Sequence, residues 1–270
     1  MEPVTISEKE FGLFRDWLYQ HVGILLTKNK MPLVSGRLAK RLRHHGVPSY
    51  GDYFRFITGP DGEANGELQV AIDLLTTNET QFFREPRHFD FLRERVLPEH
   101  PPGRRFRVWS AASSSGEEAY TLAMTLADEL GDAPWEVFGS DISSRVLAAA
   151  RRGLYPMQRA QQIPLACLRR YCLKGVGRHQ GAFLIDPALR KRVSFQQVNL
   201  NASLPKLGEF DVIFLRNVMI YFNQETKREV VHRLMEYLRS GGYLIIGHSE
   251  SLNGITDRLQ TVVPSVYRKP

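Results

Sequence analysis

The chain has 270 residues, 43% hydrophobic and 24% charged, enough for one large domain or two smaller ones with a substantial core. No apolar run approaches the twenty or so residues of a membrane span, and the N-terminus lacks a signal peptide's basic and apolar regions, so a cytoplasmic protein is expected. Cys167 and Cys172 suggest neither a zinc spacing nor a disulfide framework, and a net charge of +7 leaves nucleic acid, anionic lipid or an acidic protein open as partners.

The first hundred residues predict helices. Ser7-Glu8-Lys9-Glu10 is a capping box, stapled by Ile6 and Phe11, and Phe14 and Leu18 continue the apolar stripe. A second helix is expected from about Pro32, burying Val34, Leu38 and Leu42. Arg37, Lys40, Arg41 and His44 recur at helical spacing on a neighbouring face, and Lys28 to Gly51 holds six Lys or Arg and no acid. Gly59-Pro60-Asp61-Gly62 reads as a loop and Leu68 to Leu75 as a helix. In Thr76-Thr77-Asn78-Glu79-Thr80-Gln81-Phe82-Phe83-Arg84 a capped polar turn accounts for Thr and Asn, but not for Phe82-Phe83-Arg84. Residues 1–97 are thus read as an all-helical N-terminal domain, and 98–104, rich in proline, as a linker.

From residue 105 the pattern alternates. Strands are expected at Arg105–Ser110, Trp135–Gly139, Ser194–Val198, Asp211–Leu215 and Tyr243–Ile246. Helices are expected at Glu117–Leu130, at Ser144–Arg152, and from the cap Asn223 to Arg239, stopped by Gly241-Gly242. This is an α/β domain with a mostly parallel, doubly wound sheet. Gly175, Gly177 and Gly181 between short apolar pieces suggest a small antiparallel β-subdomain inserted at about 157–193.

The most informative segment is the unbroken run of Ser, Ala and Gly from Ser110 to Gly116, which joins an apolar strand to a helix. Such a strand–turn–helix lets a ligand approach the backbone closely. It lacks the GxGxxG of dinucleotide sites and the GxxxxGK[ST] of a P-loop. Glu117 and Glu118 stand where a phosphate site would want amides and a lysine, which suits a ligand with a cationic end such as S-adenosylmethionine (SAM). Asp141 closes the second strand, where an acid accepts hydrogen bonds from ribose hydroxyls. Arg216-Asn217 ends the fourth strand, with Tyr221 close behind and without the Asn-Pro-Pro-Tyr of base methyltransferases. No HxxxH or HExxH occurs, so no metal site is read.

Together these segments resemble the chemotaxis receptor methyltransferases (CheR family), from about Phe11 to Tyr267. The residues that carry the resemblance are Thr76 to Glu85, Ser110-Ala111-Ala112 with Ser115-Gly116-Glu117-Glu118, and Ser140-Asp141-Ile142. Val198-Asn199-Leu200, Arg216 to Phe222 and Gly247-His248-Ser249-Glu250 follow in family order. The resemblance implies a SAM-binding methyltransferase domain at 105–270 behind the helical domain. It implies that Asn78, Thr80 and Arg84 reach the cofactor from the N-terminal side. Glu118, Asp141, Asn199, Leu200, Arg216 and Asn217 would complete that pocket, and Arg84 and Tyr221 would lie at the chemistry. The substrate implied is glutamate side chains on the cytoplasmic helices of chemoreceptors; such helices are acidic, which gives the basic stripe Arg37, Lys40 and Arg41 a purpose as docking residues. Some members also bind a receptor's C-terminal peptide through the β-subdomain. Lys174, Gly175, Gly177 and Gly181 look like that site, with Lys174 where such members often carry Arg. A monomer is expected, reaching membranes only through receptors and binding no nucleic acid. Two other readings remain open: a nucleic-acid methyltransferase and a non-catalytic SAM-binding regulator.

Overall fold

The computed structural model describes residues 4–270. Its N-terminal part is built from α1 (Glu8–Val22), α2 (Met31–His45), α3 (Tyr50–Ile57), α4 (Pro60–Ala64) and α5 (Glu67–Leu75). The capping box starts α1 as expected: Ser7 Oγ accepts the Glu10 N–H, and the Glu10 carboxylate accepts the Ser7 N–H. Phe11, Phe14, Leu18, Val34, Leu38 and Tyr53 close a core of their own between these helices. The loop read at Gly59–Gly62 is instead the entry into α4. Pro60 tolerates the first turn, where an N–H has no intrahelical partner.

Next comes α6 (Arg87–Phe91), which continues through a π turn at Leu92–Val96. Its Phe89 and the following Leu92, Val96 and Leu97 pack with Phe106, Val108 and Val212 beneath the sheet, and none joins the helical core. The helical core therefore ends at Leu75, well before the expected boundary at 97. Periodicity shows that a helix has an apolar face, not which core that face meets.

The remaining elements are β1 (Phe106–Ala111), α7 (Glu117–Leu130), β2 (Trp135–Asp141), α8 (Ser144–Arg152), β3 (Leu154–Pro156) and α9 (Leu165–Tyr171). Then follow β4 (Cys172–Lys174), β5 (Ala182–Ile185), α10 (Pro187–Arg190), β6 (Val193–Gln197), β7 (Phe210–Leu215) and α11 (Gln224–Tyr237). The chain ends with β8 (Leu238–Ile246), β9 (Gln260–Val263) and β10 (Val266–Arg268). Seven strands form one sheet in the order β6-β2-β1-β7-β8-β10-β9, parallel from β6 to β8 and antiparallel at β10. The winding leaves β1 toward β2 and β6, then returns to β7 and β8, so the order reverses between β1 and β7. A ligand belongs at the carboxyl ends of the strands there. β3, β5 and β4 form a separate antiparallel sheet, which begins slightly earlier than expected, at Leu154.

Gly241-Gly242 do not stop α11, which ends at Tyr237; they lie inside β8. Gly241 adopts φ +76°, and a Cβ on Gly242 would lie 2.9 Å from the Asp211 carbonyl oxygen, so both positions require glycine. Lys269 Nζ instead satisfies carbonyls at the end of α11, donating to Met235 and Leu238 at 2.7 and 2.6 Å. Among the described residues, no helix is long and apolar enough to cross a membrane.

Candidate functional site

A cleft of roughly 1290 Å³, its open mouth included, lies over the carboxyl ends of β1, β2 and β7. In the turn after β1, Ala112 and Ser114 hold left-handed backbone (φ +65° and +50°) and border the cleft. Gly116 serves packing instead. At its φ of +96°, a Cβ would sit 2.9 Å from Ala150 Cβ and 3.0 Å from the Tyr155 hydroxyl, so its smallness lets α8 and β3 close in.

The two glutamates that open α7 diverge. Glu117 is buried away from the cleft, accepting from Ser115 Oγ at 2.7 Å with Arg159 at 3.4 Å. Glu118 borders the cleft; Ser110 Oγ donates to it at 2.7 Å and Arg216 Nη1 at 3.1 Å. Burial raises the pKa of Glu118, and the Arg216 charge opposes that rise. At the tip of β2, Asp141 accepts the N–H groups of Ser114 and Ser143, each at 2.9 Å. Ser143, not Asp141, caps α8, accepting the Val146 N–H. Burial lifts the Asp141 carboxyl to about 6, although these amide donors favour its ionised form. Each oxygen keeps acceptor capacity for a ligand.

Arg216 is buried and also pairs with Glu85, at 3.1 Å. Asn217 holds φ +57°; its N–H donates to Glu250 and its Nδ2 to Glu85 Oε1. Asn78, Thr80, Arg84, Asn199, Leu200 and Tyr221 also border the cleft, so all the residues expected at the cofactor and the chemistry converge on one space. Phe82 explains the aromatic pair that a polar turn did not. It is fully buried in the small subdomain, with ring centroids 5.1 Å from Tyr155 and 5.8 Å from Phe183. Phe83 packs on Phe89, and its N–H donates to Thr121 Oγ1.

One wall was not foreseen. Ile24, Leu25, Leu26 and Lys30, between α1 and α2, and Leu33 in the first turn of α2 border the cleft. Ile24 bridges Phe222, and the Leu25 N–H donates to the Tyr221 carbonyl at 2.9 Å. The available signal was Ile24-Leu25-Leu26, an apolar run outside either helical stripe.

The basic stripe departs from the expected docking face. Arg37 donates to the Leu75 and Thr76 carbonyls at 3.1 and 3.0 Å, closing the end of α5. Arg41 clamps buried Glu67, Nε to Oε1 at 2.7 Å, with Tyr53 on the same carboxylate. Only Lys40 of the three stands exposed, beside exposed Arg43 and His44. Lys174 ends β4, an edge strand of the small sheet, and the Gly175 N–H continues the pairing to Ala182. A Cβ on Gly175 would lie 2.1 Å from the His179 carbonyl, and Gly177 and Gly181 hold φ +57° and +82°.

Among the described residues Glu85, His88 and His248 bring potential ligand atoms within 4.8 Å of one another. Arg216 already holds the cation's place on Glu85, and burial, with Arg216 nearby, lowers His88 to about 3. The group is an ion-pair network around a neutral imidazole.

The family model described as "CheR methyltransferase, SAM binding domain" matches residues 78–267, and "CheR methyltransferase, all-alpha domain" matches 9–76. The chain belongs to the CheR methyltransferase family. It is 40% identical to the chemotaxis protein methyltransferase of Escherichia coli (strain K12), over 98% of this chain and 92% of that protein. Its identity to chemotaxis protein methyltransferase 2 of Pseudomonas aeruginosa is also 40%, over 97% and 93%. The chain is a SAM-dependent methyltransferase with a helical domain before its SAM-binding domain, as expected. The family models meet between residues 76 and 78, close to where the helical core ends.

Proposed function

We propose that this methyltransferase esterifies glutamate side chains on the cytoplasmic helices of chemoreceptors, working in the cytoplasm as a monomer. The donors that border the cleft carry this reading. Arg84 and Tyr221 border it together, and the Arg84 and Arg37 charges both act on the Tyr221 phenol. Burial, with Glu79 nearby, raises the Tyr221 pKa, so the phenol remains a hydrogen-bond donor. Donors welcome a carboxylate. A glutamate, with a pKa of about 4.3, arrives ionised and needs no base, whereas an amine would arrive protonated and need one.

Glu118 suits the cofactor's ammonium and Asp141 its ribose hydroxyls. Asn78, Thr80, Asn199, Leu200, Arg216 and Asn217 form the surrounding walls. Bound SAM supplies a methyl group on an activating sulfonium. The chain itself desolvates the incoming carboxylate and holds it in line, with Arg84 and Tyr221 orienting it. Lys40 and Arg43 offer an exposed positive face to an acidic helix. The edge of β4 offers a place for a receptor tail to add as a strand.

Incubation with SAM and a receptor cytoplasmic domain, followed by peptide mass mapping, tests the reading. Methyl groups on glutamate side chains are expected. Methylation confined to lysine, arginine or added nucleic acid would overturn it.

A further inference from the structure

We infer that Glu85, which does not border the cleft, is a positioning residue: as counterion of Arg216 it leaves the Glu118 carboxylate available to the cofactor's cationic end. This rests on the reading of Glu118 as the ammonium's partner.

The Arg216 side chain is 1% exposed, so its charge must be balanced inside the protein. It has two carboxylates, Glu118 at 3.1 Å on Nη1 and Glu85 at 3.1 Å on Nη2. Nη2 also donates to the Arg84 carbonyl. One guanidinium between two carboxylates leaves a surplus negative charge, which is what a cationic ligand requires. Without Glu85, Arg216 and Glu118 would close into a neutral pair. An entering ammonium would then compete with the guanidinium for a single counterion.

The surroundings divide the two acids by role. Glu85 is held on both oxygens. Oε1 accepts Asn217 Nδ2 at 3.2 Å, and Oε2 accepts the His248 N–H at 3.2 Å. Burial works against its ionisation, but the Arg216 charge and these donors keep its pKa below the ordinary value. Glu118 also has a partner on each oxygen, Ser110 Oγ and Arg216 Nη1, but it borders the cleft and Glu85 does not, and burial raises its pKa. Glu85 is thus the fixed counterion, and Glu118 is the carboxylate that can change partners.

Calorimetry on the full chain separates this role from a merely structural one by using two ligands. S-adenosylhomocysteine carries the ammonium arm; 5′-methylthioadenosine keeps the nucleoside and lacks it. Glu85→Gln is expected to weaken S-adenosylhomocysteine about tenfold or more and leave methylthioadenosine within about twofold. Equal losses on both ligands, or no loss on either, would overturn the inference. Glu85→Asp keeps the charge one methylene further off and reads the same contrast should the Gln variant not fold. A loss of about threefold is then expected on S-adenosylhomocysteine alone, and losses on both ligands overturn the role. Glu118→Gln tests the underlying reading. If it leaves S-adenosylhomocysteine affinity unchanged, that reading fails; if it weakens binding while Glu85→Gln does not, only the counterion role fails.

Discussion

Phe82 packs edge-on against Tyr155, ring centroids 5.1 Å apart, and so plugs the strip that crosses from helical domain to sheet into the small antiparallel subdomain. Asn78, Thr80 and Arg84 flank this plug, so a side chain that never borders the cleft fixes three that do.

Phe82→Ala should therefore cost about 3–5 kcal/mol of stability, the usual range for emptying a fully buried phenylalanine site. It should also weaken S-adenosylhomocysteine binding. Urea denaturation and calorimetry on the same variant check both effects.

Asp141 links the site to pH. Its folded pKa, about 6, lies above the unfolded value of about 3.9. The folded protein therefore holds this proton more tightly than the unfolded chain does. The associated stability is complete below about pH 4 and is lost as pH rises through about 6. Cofactor affinity should move the other way, rising with pH and levelling above about 6, because the ionised carboxylate is the better acceptor. Asp141→Ala should cost roughly 2–4 kcal/mol of S-adenosylhomocysteine binding and flatten that dependence. Calorimetry at several pH values decides it.

Much of this was legible in the chain because local chemistry and global fold agree. Glu117–Leu130 and Ser144–Arg152 start and end where their small-residue turn, serine cap and glycines place them. The cleft residues were legible for a related reason: strand ends in a doubly wound sheet converge at the switch point. Partners distant in sequence were not legible. Arg41 reads as a free cation until α5 brings Glu67 against it, and Arg37 until the α5 carbonyls arrive. The short C-terminal strands β9 and β10 hold too few residues to show a period.

That difference can be measured. Lys40→Glu should leave cofactor binding and stability unchanged while raising the KM for receptor, most clearly at low salt. Arg41→Ala should destabilise instead, by about 3 kcal/mol, because it strands the Glu67 carboxylate in the helical core. Thermal melts beside receptor titrations distinguish the two.

Arg84→Ala and Tyr221→Phe should lower kcat by roughly ten- to a hundredfold while moving cofactor affinity little, as expected for groups that orient the acceptor. Single-turnover methylation with calorimetric Kd values checks the split. Equal losses in Kd and kcat would place both side chains with the cofactor.

The most direct test of glutamate ester formation is the lability of the transferred group. Receptor-enriched membranes are incubated with the enzyme and methyl-labelled SAM, and the washed product is exposed to mild base. Release of the label as methanol is the result predicted. Label that survives base on the receptor, as an N-methyl group does, would contradict the account.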